Sequence, residues 1–237
     1  MYSIRKEYKR FYETAYYCVD LLKVKDNTGK NKNVLIKDMY EPKQVYINSC
    51  GVINTIWQAW NRYWRTYWLT YIFGGFGGIS YTGLVPPNSI RLFGTTTTGI
   101  SEGEAIYNLL NRCNPHRYNA TKYRSGIIQP YQEPTWGDVD LIEKISLVYN
   151  SNGMPGVQIL SAFSVFGDSA KDLQKVRNCS VHISKQGMND LKSNILPKYK
   201  ASSLKYPTDI LFYEELGSSK LAIISWIDEL TAFLELI

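Results

Sequence analysis

Two histidines, His116 and His182, are the only side chains in this 237-residue sequence whose unperturbed proton affinity lies near neutrality. His182 closes the run Val176-Arg177-Asn178-Cys179-Ser180-Val181-His182. On a helix, at about 100° per residue, Asn178 and His182 stack on one face. Arg177 lies about 140° round the cylinder from His182 and reaches the same cleft only through its long side chain. A permanently charged guanidinium beside an imidazole suits cleavage of a phosphodiester. His182 would take or give a proton, and Arg177 would neutralise the charge that builds on the pentavalent phosphorane. Ser180 is a secondary candidate, and His116, in Asn114-Pro115-His116-Arg117, reads as a loop residue. The plain alternative is that Arg177 and His182 are surface or helix-packing residues.

Other chemistries find no support in the residue pattern. Cys18, Cys50, Cys113 and Cys179 are widely spaced, so reduced, mostly buried thiols are expected, and no metal site or cofactor is. HExxH does not occur, and Gly74-Gly75-Phe76-Gly77-Gly78 lacks the Lys-Ser/Thr ending of a phosphate loop. The net charge of +6 and a pI near 9.0 favour a polyanionic partner such as nucleic acid. The opening residues mix charge into their first turns and contain no apolar signal region. The apolar run Tyr67 to Phe73 is far short of the ~20 residues that span a bilayer, so a cytoplasmic protein without a membrane segment is expected.

The elements that must position these residues are read from apolar spacing. Ile4, Tyr8, Phe11, Tyr12, Ala15, Val19 and Leu22 predict an amphipathic helix of about five turns, ended by turn chemistry over 25–30. Ile53, Ile56, Trp57, Trp60, Trp64, Trp68 and Ile72 predict a central core helix stopped by Gly74 and Gly75. The 74–98 stretch, rich in Gly, Thr and Pro, reads as an insert. Ser101 to Glu104 spells a capping box before Ala105, Ile106, Leu109 and Leu110. A loop over 114–135 precedes a short helix from Asp138 to Tyr149. After a turn at 153–156 and an apolar patch at 157–166, Ser169 to Asp172 spells a second capping box, predicting that the helix bearing Arg177 starts there. The last helix, of about five turns, carries Ile223, Trp226, Ile227, Leu230, Phe233, Leu234 and Ile237, with Ser218 or Ser219 as its cap. These elements predict a mainly α protein, a helical bundle forming a single domain over residues 1–237.

Arg177-Asn178, three residues and His182 resemble the Arg-x(4 to 6)-His signature of the HEPN superfamily of helical ribonucleases, in which a polar residue, often Asn, follows the Arg. The tail from Pro207 through Gly217-Ser218 into the last apolar helix is similar to the ends of some HEPN families. The 74–98 insert departs from the pattern. The resemblance implies a metal-independent endoribonuclease in which a ribose 2′-hydroxyl attacks the adjacent phosphate. It implies a homodimer whose two motifs face each other, with RNA as substrate. It also implies a toxin or antiviral defence effector, held in check by an antitoxin or triggered by a sensor protein. By position, His182 would be the general acid or base, Arg177 the phosphate clamp and Asn178 the residue that orients the pair. From another class, a catalytically silent helical module that binds RNA or a protein partner through its basic surface, or an assembly protein using exposed aromatics, would fit the same composition.

Overall fold

The computed structural model describes residues 3–25, 28–72, 89–92, 95–98, 100–149 and 155–237. It is mainly helical: α1 (Ile4–Asp20), α2 (Pro42–Ile72), α3 (Glu102–Cys113), α4 (Val139–Val148), α5 (Pro155–Val181), α6 (Lys185–Asp190) and α7 (Ala222–Leu236). Two short antiparallel hairpins accompany them, β1 (Lys23–Lys25) with β2 (Asn31–Leu35) and β3 (Ser89–Leu92) with β4 (Thr95–Thr98). Gly74 to Gly78 lie outside the described residues, as does the beginning of the turn expected at 153–156. Among the described residues no helix is long and apolar enough to cross a membrane. The chain divides into two compact units.

Unit 1 comprises Met1–Lys9, Trp60–Val165 and Phe233–Ile237. Its centre is the aromatic stripe of α2: Trp60, Tyr63, Trp64, Tyr67 and Trp68 are all fully buried. Trp64 stacks on Phe163 of α5 at 6.4 Å and meets Phe233 at 5.8 Å, and Trp68 stacks on Tyr149 at 5.9 Å. Rings at this spacing each bury about 150–250 Å², so the stripe is core, as its helical period implies. The capping box on α3 forms as its sequence predicts, with Ser101 and Glu104 exchanging hydrogen bonds, and Asp138 caps α4 through Leu141 N–H. Polar anchors fix the loop between them: Trp60 Nε1 donates to Gly137 O at 3.1 Å, and Asn61 Oδ1 accepts from Gly137 N–H at 2.7 Å. The start of α5 is pressed against the end of α4. A Cβ at Gly156 would stand 2.0 Å from Ser146 O, so only glycine fits.

Unit 2 comprises Arg10–Ala59 and Phe166–Ala232. Its core joins Val52, Ile53, Ile56 and Trp57 of α2 with Leu173 and Val176 of α5 and Ile223, Trp226, Ile227 and Leu230 of α7. Trp226 Nε1 is satisfied by Tyr199 Oη at 2.7 Å. Past α6 the chain continues through a π turn, Leu191–Ile195, and a 3₁₀ turn, Leu196–Lys198, where Pro197 ends helical continuation.

Several expectations are corrected. The helix bearing Arg177 does not start at Ser169; it starts at Pro155, and the apolar patch 157–166 is its first half. The residues that spell the second capping box are engaged elsewhere in unit 2: Ser169 Oγ donates to Glu229 at 2.6 Å, and Asp172 accepts from Lys198 Nζ at 2.8 Å. The last helix is shorter than expected, 15 residues or about four turns, and neither Ser218 nor Ser219 caps it. Of its opening amides, Ala222 N–H donates to Tyr213 O and those of Ile224 and Ser225 to Leu221 O, while Ser218 Oγ accepts from Lys220 N–H. The turn chemistry after α1 belongs to a β-hairpin that pairs Lys23 with Leu35 and Lys25 with Asn31.

Candidate functional site

Arg177 sits in the last turn and a half of α5, where that helix packs on α2 within unit 2. Its Nε and Nη2 donate to Asn54 Oδ1 at 3.4 and 3.3 Å, and its Nη1 donates to Asn178 Oδ1 at 3.1 Å. Both acceptors are neutral amides, and no carboxylate pairs with Arg177 among the described residues. A guanidinium carries five N–H donors in a planar fork. Three are committed here, which orients the group, and two remain, together with the whole positive charge.

His182 is the residue after the end of α5. Its backbone N–H still donates to Asn178 O at 3.0 Å, so it completes the final turn. Its side chain is exposed and makes no hydrogen bond among the described residues. Five residues at 1.5 Å rise separate Arg177 from His182 by about 7.5 Å along the axis, on different faces. The structure therefore joins Arg177 to Asn178 and adds Asn54, and no hydrogen bond joins these three to the imidazole.

The end of α5 is held from several directions. Tyr46 of α2 donates its hydroxyl to Ser180 O at 3.0 Å, and its ring stacks on Tyr206 at 4.7 Å. Burial pushes the Tyr46 hydroxyl up to about 12. Ser180 Oγ donates to Arg177 O at 2.7 Å, so the secondary candidate spends its hydroxyl on its own helix. Beyond His182, Ser184 caps α6 through Gly187 N–H at 3.0 Å, and burial raises the pKa of Cys179 beside them. His116 lies in the exposed turn after α3, as expected, with its carbonyl taken by Asn119. Exposed Val181 and Ile183 flank His182.

Neither family models, curated proteins nor solved structures give a match to this chain.

The geometry of unit 2 accordingly stands on its own. Asn54 is the candidate-site residue that sequence reasoning misses: it is 123 positions from Arg177, and no spacing rule connects residues on separate helices. Among the described residues no group of three or more His, Cys, Asp or Glu side chains is placed to hold a metal ion. A concavity of about 190 Å³ lies in unit 1 between Arg117, Tyr118, Asp138, Asp140 and Lys144. Its charges offset one another, and Asp138 is already committed to capping α4.

Proposed function

We propose that this chain is a metal-independent endoribonuclease of HEPN type, in which Arg177 holds the scissile phosphate and His182 transfers the proton. A single observation carries this reading: Arg177 is oriented by two neutral carbonyl oxygens, leaving its charge and two N–H groups open to an anion. Attack of the ribose 2′-hydroxyl on the phosphate gives a phosphorane whose added negative charge Arg177 stabilises. His182, at the exposed end of α5, takes the 2′-hydroxyl proton or donates one to the departing 5′-oxygen. The products are a 2′,3′-cyclic phosphate and a 5′-hydroxyl. A homodimer that brings two α5 ends together would supply the second proton carrier. Within a toxin or antiviral defence role, an antitoxin or sensor protein would control access to the site.

The test is cleavage of a mixed RNA pool in EDTA by wild type, Arg177→Ala and His182→Ala, with product ends analysed. Loss of the imidazole is expected to slow cleavage about 10²–10⁴-fold, with the fold intact by circular dichroism. Equal activity in all three proteins would overturn the assignment. A second reading, a catalytically silent module that binds RNA through its basic surface, is favoured by the absence of a hydrogen bond to the His182 imidazole among the described residues. It predicts salt-sensitive RNA binding that His182→Ala leaves unchanged.

A further inference from the structure

We infer that Asn54 is the positioning residue for Arg177, and that its neutral amide is what keeps the guanidinium able to take a phosphate. The inference rests on the proposed clamp role of Arg177 and adds to it a residue from another helix. The chain contains its own control in Arg65. There Nε and Nη2 bind the Glu133 carboxylate at 2.6 and 2.7 Å, and Nη2 also binds Glu102. One guanidinium faces two carboxylates, so although the two N–H groups of Nη1 stay uncommitted among the described residues, its charge is more than cancelled. This is how a structural arginine is ordinarily fixed.

Arg177 is gripped through the same two nitrogens, Nε and Nη2, by one residue across a helix contact, but the gripping oxygen belongs to an amide. Asn178 adds a second amide oxygen on Nη1. Orientation comes without neutralisation. A carboxylate in the place of Asn54 would keep the hydrogen bonds yet set a negative charge against the guanidinium, cancelling its attraction for a phosphate. The two remaining N–H groups suit one tetrahedral anion, either free phosphate or a phosphodiester of a nucleic-acid strand. The Asn54 side chain is half-buried and reaches no other element that would need its amide. Stability alone therefore gives no reason for Asn rather than Asp at this position.

The experiment follows the Arg177 Nε–Hε resonance of the full chain by NMR, assigned through its loss in Arg177→Lys. Inorganic phosphate is titrated in one arm and a short all-deoxy single strand, which cannot be cleaved by 2′-hydroxyl attack, in the other. In wild type the resonance is expected to move with phosphate, and the strand arm reports whether a nucleic-acid backbone competes for the same group. Asn54→Asp is expected to keep the thermal midpoint and a dispersed Arg177 signal while binding phosphate at least ~10-fold more weakly. Asn54→Ala is expected to send the Arg177 signal to the position of a solvated arginine. Phosphate binding by Asn54→Asp at wild-type strength, an undisturbed Arg177 signal in Asn54→Ala, or no phosphate shift in wild type would each overturn the inference. Phosphate binding without any RNA cleavage would sink the nuclease and leave Asn54 in place. Full cleavage by Asn54→Asp would do the reverse.

Discussion

In unit 1, helices α2 and α5 meet ring against ring, with Trp64 stacked on Phe163 and both against Phe233. In unit 2 the same two helices meet through polar groups, Asn54 against Arg177 and Tyr46 against Ser180. In the ring contact Tyr63 Oη, Trp64 Nε1, Tyr67 Oη and Trp68 Nε1 are buried with no hydrogen-bond partner among the described residues. Each such group costs about 1–3 kcal/mol, and the area the rings bury offsets it. The polar seam buries less and commits three of the five Arg177 donors, leaving part of one guanidinium over. The same pair of helices thus serves stability where its facing residues are aromatic, and presents chemistry where they are amides and a cation.

The largest break in that contrast is predicted for Trp64→Ala. Removing a fully buried indole from the stack is expected to cost about 3–5 kcal/mol in denaturant unfolding. A loss below about 1 kcal/mol would mean that the stripe is not what holds unit 1 together. A smaller and more discriminating effect separates the two arginines. Arg65→Met leaves Glu133, whose side chain is only 12% exposed, without a counter-charge and, among the described residues, held by Trp136 Nε1 alone, and should cost about 1–3 kcal/mol. Arg177→Met leaves two half-exposed or exposed amides that can turn to water, so less than about 1 kcal/mol is expected. That variant should nevertheless lose phosphate binding. Equal thermal shifts for the pair would erase the distinction between a structural and a presented guanidinium.

The helices were legible where one local signal decided them. Ser101 and Glu104 predict the start of α3 because both partners of a capping box lie within one turn, and the apolar spacing of Val139, Ile142 and Ile145 predicts α4. The period of Trp60, Trp64 and Trp68 predicts a buried face because nothing but a core uses so much ring area. The second capping box failed because Ser169 and Asp172 have partners, Glu229 and Lys198, that lie 60 and 26 residues away and outcompete a local cap. The hairpin β1–β2 was missed because strands of three and five residues show too few alternations to read. At the candidate site, the sequence offers Arg177, Asn178 and His182 as neighbours on one helix. It cannot offer Asn54, whose role exists only once α2 and α5 are packed.

The smallest predicted effect concerns alkali, and it sharpens the same contrast. In unit 2 the Cys18 thiol is pushed up to about 11, and the Tyr16 and Tyr46 hydroxyls to about 12, each chiefly by burial. A group whose affinity for its proton is higher in the folded state contributes stability that is complete below its unfolded pKa, here about 9 to 10. That contribution is lost as pH rises through the folded value. Stability should therefore hold to about pH 9 and fall between about pH 10 and 12. In unit 1, Tyr63 and Tyr67 are raised further still by burial, so their phenolate absorbance should stay silent until the chain unfolds. Tyr46→Phe removes the hydroxyl that reaches Ser180 O, at a cost of about 1 kcal/mol at neutral pH, and should flatten part of the alkaline loss. If phenolate absorbance instead rose fully before ellipticity changed, the aromatic interior of unit 1 would be open to hydroxide. The difference between the dry and the polar ends of these helices would then have to be given up.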